Sequence, residues 1–218
     1  MIMKSHAVRL FALVMLLALS PLGEAVAGLD VDFGASVRLG DDTDVFFAVS
    51  SRYFDRDRQV VESWGRRYQD PDDLAVALFL SKRSGRSPDF IFSLRRQGLG
   101  WWEIGVRVGV PVDAWFLPVT RDPGPPYGKA YGYWKKHRKN PKARIVLTDA
   151  DVRNLVAVRM VHEYYGVPVE VAFERRASGG NVRVLLSAEY RHRHGKAGVP
   201  PGHAKKAAGK GHGKKKRK

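Results

Sequence analysis

Three capped helix starts and five glycine stops cut this chain into short segments of helical length. Asp70-Pro71-Asp72-Asp73, Ser87-Pro88-Asp89 and Thr148-Asp149-Ala150-Asp151 each put a short polar side chain where a helix leaves its first amides unbonded. Proline fits the first turn, and the acids face the positive end of the helix dipole. Gly85, Gly98, Gly109, Gly166 and Gly179 each stand where a segment with apolar residues at helical spacing can end. Between these marks the apolar residues recur at helical spacing, as in Leu74, Ala75, Leu78 and Phe79, and in Val152, Leu155, Val156 and Val158.

The pattern predicts a helix from Asp42 or Thr43 through Phe54, another over about 58–68, and one from Asp70 to Gly85. A further helix runs from Ser87 to Gly98, and a short one passes through Trp101, Trp102, Ile104 and Val108. Thr148 and Asp151 form a capping box that starts the longest helix, over about 149–165. Pro168 opens a short helix that reaches Gly179-Gly180. Residues 181–190 fit helix or strand, and Asn181 as a cap favours helix. Residues 29–39 differ. Leu29, Val31, Phe33, Ala35, Val37 and Leu39 alternate with polar or small residues, which predicts a strand. Its candidate partner is Arg144-Ile145-Val146-Leu147.

An offset of 81 residues aligns Asp70 with Asp151, Leu74 with Leu155, Gly85 with Gly166, Phe92 with Phe173, Arg95 with Arg176 and Gly98 with Gly179. The same order of acid cap, long helix, glycine, short helix and glycine occurs twice. The expected fold is mainly α: a compact multi-helix domain of two similar helical hairpin units, with a short N-terminal β-strand and a disordered basic C-terminal tail.

Residues 1–27 have the form of a secretory signal peptide. Lys4 and Arg9 precede the uncharged run Leu10 to Leu19, and Ala25-Val26-Ala27 offers small residues for cleavage near Ala27. The run is about half of the roughly 20 residues needed to span a bilayer. A periplasmic or extracellular location is therefore expected, for a mature chain with no transmembrane segment. The chain has no cysteine, which excludes disulfides, thiolate metal ligands and a cysteine nucleophile. Residues 28–190 are expected to form one domain.

The formal net charge is +16, and it is unevenly placed. From residue 191 onward there are eleven Lys or Arg and no acid. Residues 28–190 carry only +4. The 191–218 segment is rich in Gly, Ala, His and Lys, with too little apolar surface to offset its ordering entropy. Its Lys205, Lys206, Lys210, Lys214, Lys215, Lys216, Arg217 and Lys218 are expected to bind polyanions through counterion release. Outside a bacterial cell the partners would be lipopolysaccharide, anionic lipid, other anionic polymers or extracellular nucleic acid.

The least generic stretch is Asp122-Pro123-Gly124-Pro125-Pro126-Tyr127-Gly128-Lys129-Ala130-Tyr131-Gly132-Tyr133-Trp134-Lys135-Lys136-His137. Its prolines and glycines predict a rigid loop over 122–138 whose Tyr127, Tyr131, Tyr133 and Trp134 pack on the helices, and the sharper alternative is a binding loop. Tyr127, Lys129, Tyr131, Trp134, Lys135, Lys136 and His137 are the candidate ligand-binding residues, with cations to grip an anion and rings to stack on it. A phosphate-binding P-loop is excluded: the spacer between Gly124 and Gly128 is one residue short, and Ala130 stands where a hydroxyl must bind magnesium. A helix-turn-helix is excluded too, because the segment after Gly109 is the apolar Pro111-Val112-Asp113-Ala114-Trp115-Phe116. His162-Glu163 lacks the second histidine of a zinc protease helix, since residue 166 is Gly. His192, His194, His203 and His212 have no fixed geometry in a flexible tail. No catalytic residue, cofactor or metal site is expected. The 122–136 block resembles one found in uncharacterised secreted or periplasmic bacterial proteins, a likeness that extends over about 40–185 and carries no activity with it.

The leading expectation is a non-enzymatic secreted or periplasmic binding protein with a cationic tail. The alternatives are an enzyme whose site includes Tyr127, Lys129, Tyr131 and His137, and a structural envelope protein in which the 122–138 stretch only packs.

Overall fold

A computed structural model describes residues 42–194. These form nine helices: α1 Asp42–Phe54, α2 Arg58–Tyr68, α3 Pro71–Ser84, α4 Pro88–Arg96, α5 Trp101–Arg107, α6 Gly128–Lys139, α7 Asp149–Tyr165, α8 Val169–Ala177 and α9 Val182–His194. A 3-10 turn, Val112–Trp115, follows α5. Among the described residues there is no strand, and the fold is mainly helical and compact. The expected 29–39 strand and the expected tail lie outside the described residues. Residues 144–147 belong to no helix or ladder; with residues of α5 they line a groove of about 790 Å3.

The caps act as the sequence predicts. The Asp70 carboxylate accepts from the Asp72 and Asp73 amides at 2.8 and 3.3 Å. The Ser87 hydroxyl accepts from Phe90 N, and Thr148 and Asp151 bond each other reciprocally. Gly85 and Gly166 end α3 and α7 in the left-handed conformation, at φ 72° and 63°, which costs a glycine little. Asn181 caps α9 by accepting from Val184 N, so the 181–190 ambiguity resolves to helix.

Helices α3 and α7 are the centre. Every residue from Leu74 to Ser81 is buried, as is every residue from Leu155 to Val161. A helix buried on all sides must lie inside the others. Their N-terminal turns meet: Asp73 accepts from Arg153 Nε at 2.6 Å and from Trp101 Nε1 at 2.7 Å. α5 packs on α7 while α9 packs on α3, so each half of the chain covers the central helix of the other.

Polar bonds at the two ends match this exchange. On α4, Arg95 donates to Leu99 O at 2.9 Å and pairs with Asp149 at the start of α7. On α8, Arg176 donates to Gly180 O at 2.7 Å and pairs with Asp72 in the first turn of α3 at 2.8 Å. The same carboxylates then hold the next helix. Asp149 accepts from Trp101 N at 2.8 Å, and Asp72 accepts from Val182 N at 2.7 Å. Arg95 and Arg176, and likewise Trp101 and Val182, are 81 residues apart.

Two expectations are corrected. The 122–138 stretch is not a loop throughout: residues 122–127 are, but Gly128–Lys139 is α6. Asp122 closes the preceding turn by accepting from Gly124 N at 2.9 Å, and the Pro125–Pro126 bond is cis. The aromatic side chains then repeat at helical spacing. Tyr127, Tyr131 and Trp134 face Phe116 and Phe173, and this packing outweighs the weak helix propensity of Gly128 and Gly132. α9 also runs past residue 190 to His194, so residues 191–194, His192 and His194 among them, belong to a helix and not to the expected tail. There Arg191 pairs with Asp42, and Arg193 bonds Glu189 at 3.0 Å, so a cut that spares the domain falls after His194.

Candidate functional site

The candidate ligand-binding residues separate into two groups once α6 is in place. Tyr127 and Tyr131 are core. They are 2% and 5% exposed. The Tyr127 hydroxyl donates to Phe173 O at 3.3 Å. The Tyr131 hydroxyl donates to Leu117 O at 3.0 Å and accepts from Leu117 N at 3.2 Å. Both phenols are therefore committed to backbone groups. Trp134 is half-buried, stacked on Phe116 with ring centres 5.0 Å apart, and its Nε1 donates to Asp113 at 2.7 Å. His137 is half-buried, with Nδ1 3.0 Å from Ala143 O, and it fixes the turn after α6.

Burial pushes the Tyr131 phenol up to about 12 from 10.0, and pushes Tyr127, Tyr53 and Tyr165 up more strongly. Glu163, which accepts from the Tyr53 hydroxyl at 2.5 Å, adds to the Tyr53 shift. A raised folded-state value means that these phenols bind their protons more tightly in the folded chain than in the unfolded one. The resulting stability is complete below about pH 10 and is lost as pH rises from there through about 12 for Tyr131. An alkaline titration followed by tyrosinate absorbance and by circular dichroism should show these tyrosines ionising together with unfolding. A simple titration near pH 10 in a folded chain would contradict their burial.

The lysines form the second group. Lys129, Lys135 and Lys136 are exposed, as are Arg138, Lys139, Lys142 and Arg144, which sequence reasoning did not single out. Residues 123–148 contain these seven cations and no acid. Among the described residues, none of the seven is in an ion pair. The last turn of α6 holds four of the basic groups, Lys136, His137, Arg138 and Lys139, at the negative end of its dipole.

One face of α6 also walls a groove of about 460 Å3 against the 119–123 segment. Tyr131, Trp134 and Lys135 line it, together with Arg121, Arg138 and Lys139. Lys129, Lys136 and His137 do not. Residues 131, 134, 135, 138 and 139 follow the spacing of a single helix face. That spacing was the signal for Arg138 and Lys139, and reading the stretch as a loop concealed it. The tail residues Lys205 to Lys218 lie outside the described residues.

No group of three or more His, Asp or Glu that could hold a metal occurs among the described residues. No helix among them is long and apolar enough to cross a membrane. No protein-family model matches the chain, and comparisons with curated proteins and with solved structures return no match.

Proposed function

We propose that this chain is a secreted or periplasmic binding protein, without catalytic chemistry, that associates with polyanionic surfaces. The observation that carries this reading is the exposed, acid-free run of cations over 129–144 on a folded face. A helix fixes the positions of most of them, so they add to the cationic 195–218 segment a surface of defined shape. Each phosphate that such cations neutralise releases a condensed counterion, which makes affinity fall with salt. The signal-like N-terminus supports a location outside the cytoplasm, where lipopolysaccharide, anionic lipid and extracellular nucleic acid are the available partners. The finer organisation belongs to the same reading: two similar hairpin units, preceded by the 29–39 strand and followed by a disordered tail. The buried phenols of Tyr127 and Tyr131 lend no support to an enzyme, because both are already bonded to backbone groups.

Binding to DNA, lipopolysaccharide and anionic vesicles across a salt series tests this. The intact chain should show a steep slope, shallower after removal of residues 195–218 but not zero. Neutralising Lys135, Lys136, Arg138 and Lys139 in that shortened chain should flatten the DNA slope by about 0.9 for each phosphate no longer neutralised. A shortened chain that binds none of the three at low salt would show that the folded face is not a binding surface.

A further inference from the structure

The groove beside α6 has features that a merely basic surface does not need. Its lining includes Gly132, a helix-interior glycine at which an added Cβ would meet nothing within 4 Å beyond its own chain neighbours and helix backbone. No close neighbour requires glycine there, and glycine weakens a helix. What glycine does provide is open space in the groove. Arg138 is held over the Trp134 ring at 5.2 Å, and Trp134 is itself fixed by Phe116 and Asp113. An arginine placed in this way keeps its guanidinium donors free for an oxyanion. Arg121, Lys135 and Lys139 line the same groove. Arg121 is exposed, in a loose ion pair with Glu174 at 3.9 Å and with the Glu170 carboxylate also near it. The one acid in the lining, Asp122, is engaged by Gly124 N.

We propose that this groove is a discrete site for a phosphomonoester or pyrophosphate group, held by Arg138, Arg121, Lys135 and Lys139 beside Gly132. The inference rests on the polyanion reading and names the ligand class of its folded face. Four cations around one cavity match a dianionic phosphoryl group better than a carboxylate or a phosphodiester, each of which carries a single charge. The cavity volume falls in the range of small-ligand sites, about 300–1,000 Å3. The group can belong to a lipid headgroup or to a small soluble phosphate.

The test is calorimetric titration of the full chain with inorganic pyrophosphate at physiological salt. One site per chain is expected. Gly132→Leu, which fills the space beside it, and Arg138→Gln, which removes a donor, should each weaken it by roughly tenfold or more. Replacing Lys214, Lys215 and Lys216 with Ser should leave it unchanged. Gly132→Ala should raise the melting temperature by roughly 2–4 °C, since it improves the helix without a clash. That result would confirm that the glycine is retained for space and that Gly132→Leu acts on the groove. Vesicles of phosphatidic acid that compete with pyrophosphate, where phosphatidylglycerol vesicles do not, would assign the group to a lipid; pyrophosphate binding without such competition would assign it to a soluble phosphate. If pyrophosphate does not bind, or follows the tail substitutions rather than Gly132 and Arg138, the site is overturned. DNA or lipopolysaccharide binding that survives such a result would leave the polyanion reading standing. Loss of both would end both.

Discussion

Replacing Arg176 with Ala is expected to destabilise the domain by about 3–5 kcal/mol, because it leaves a buried carboxylate without its counter-charge. The Arg176 and Asp72 side chains are 8% and 12% exposed. Arg176 spends its donors on three elements: Asp72 on α3, Asn154 on α7 and the Gly180 carbonyl ahead of α9. A domain of this size loses roughly 2–4 °C of melting temperature per kcal/mol, so a fall of roughly 6–20 °C should follow. The matching contact elsewhere serves as the control. Arg95 and Asp149 are 27% and 31% exposed, and water can replace much of what Arg95→Ala removes. That substitution should cost about 1–2 kcal/mol, including the Arg95 contact with the Trp101 ring at 4.8 Å. Denaturant unfolding of the two variants measures both. Equal losses would mean that burial does not set the strength of these crossed pairs.

Gly105→Ala should cost about 1–3 kcal/mol, towards the upper end. A Cβ at Gly105 would lie 2.2 Å from the Trp115 ring, far inside contact distance. Trp115 is 1% exposed and wedged between Phe79 and Trp102, at centroid distances of 5.1 and 5.7 Å, so it has little room to retreat. Gly65 makes a useful comparison. Its added Cβ would meet Phe47, which is only half-buried and can turn aside. The two glycines look alike in sequence. Comparing their Ala variants by thermal unfolding therefore tests whether α5 approaches Trp115 as closely as described; an unaffected Gly105→Ala would contradict it.

Most of the helical architecture was readable from local chemistry. Asp70, Ser87 and Thr148 mark starts because their side chains satisfy amides two or three residues away, an interaction confined to one turn. Gly85 and Gly166 mark ends because a left-handed residue is needed there and the chain supplies one that adopts it freely. The 81-residue offset aligns Arg95 with Arg176, but nothing in it points to the pairing of Arg95 with the start of α7 or of Arg176 with the start of α3. Arg95 and Arg176 read as ordinary basic residues near helix ends. Their partners, Asp149 and Asp72, read as ordinary acids in first turns.

The 122–139 stretch was read in part. Its charge and aromatic content were plain, but prolines and two glycines point locally to a loop. The helix there forms because Phe116, Leu117 and Phe173, distant in sequence, give Tyr127 and Tyr131 a place to pack and to bond. That packing turns two candidate ligand-binding rings into core, and it aligns Arg138 and Lys139 with Lys135 along a groove. By itself, then, the sequence determined where the capped helices begin, where Gly85 and Gly166 end them, the concentration of cations and the lack of thiols, because each depends on a residue and its near neighbours. Only the tertiary structure decided which carboxylate meets which arginine, which tyrosines are buried and which cations share a cavity. Those facts depend on surfaces brought together from 54 and 104 residues apart, as Arg95 with Asp149 and Arg176 with Asp72 are, and hydrophobic burial that is blind to sequence separation fixes them.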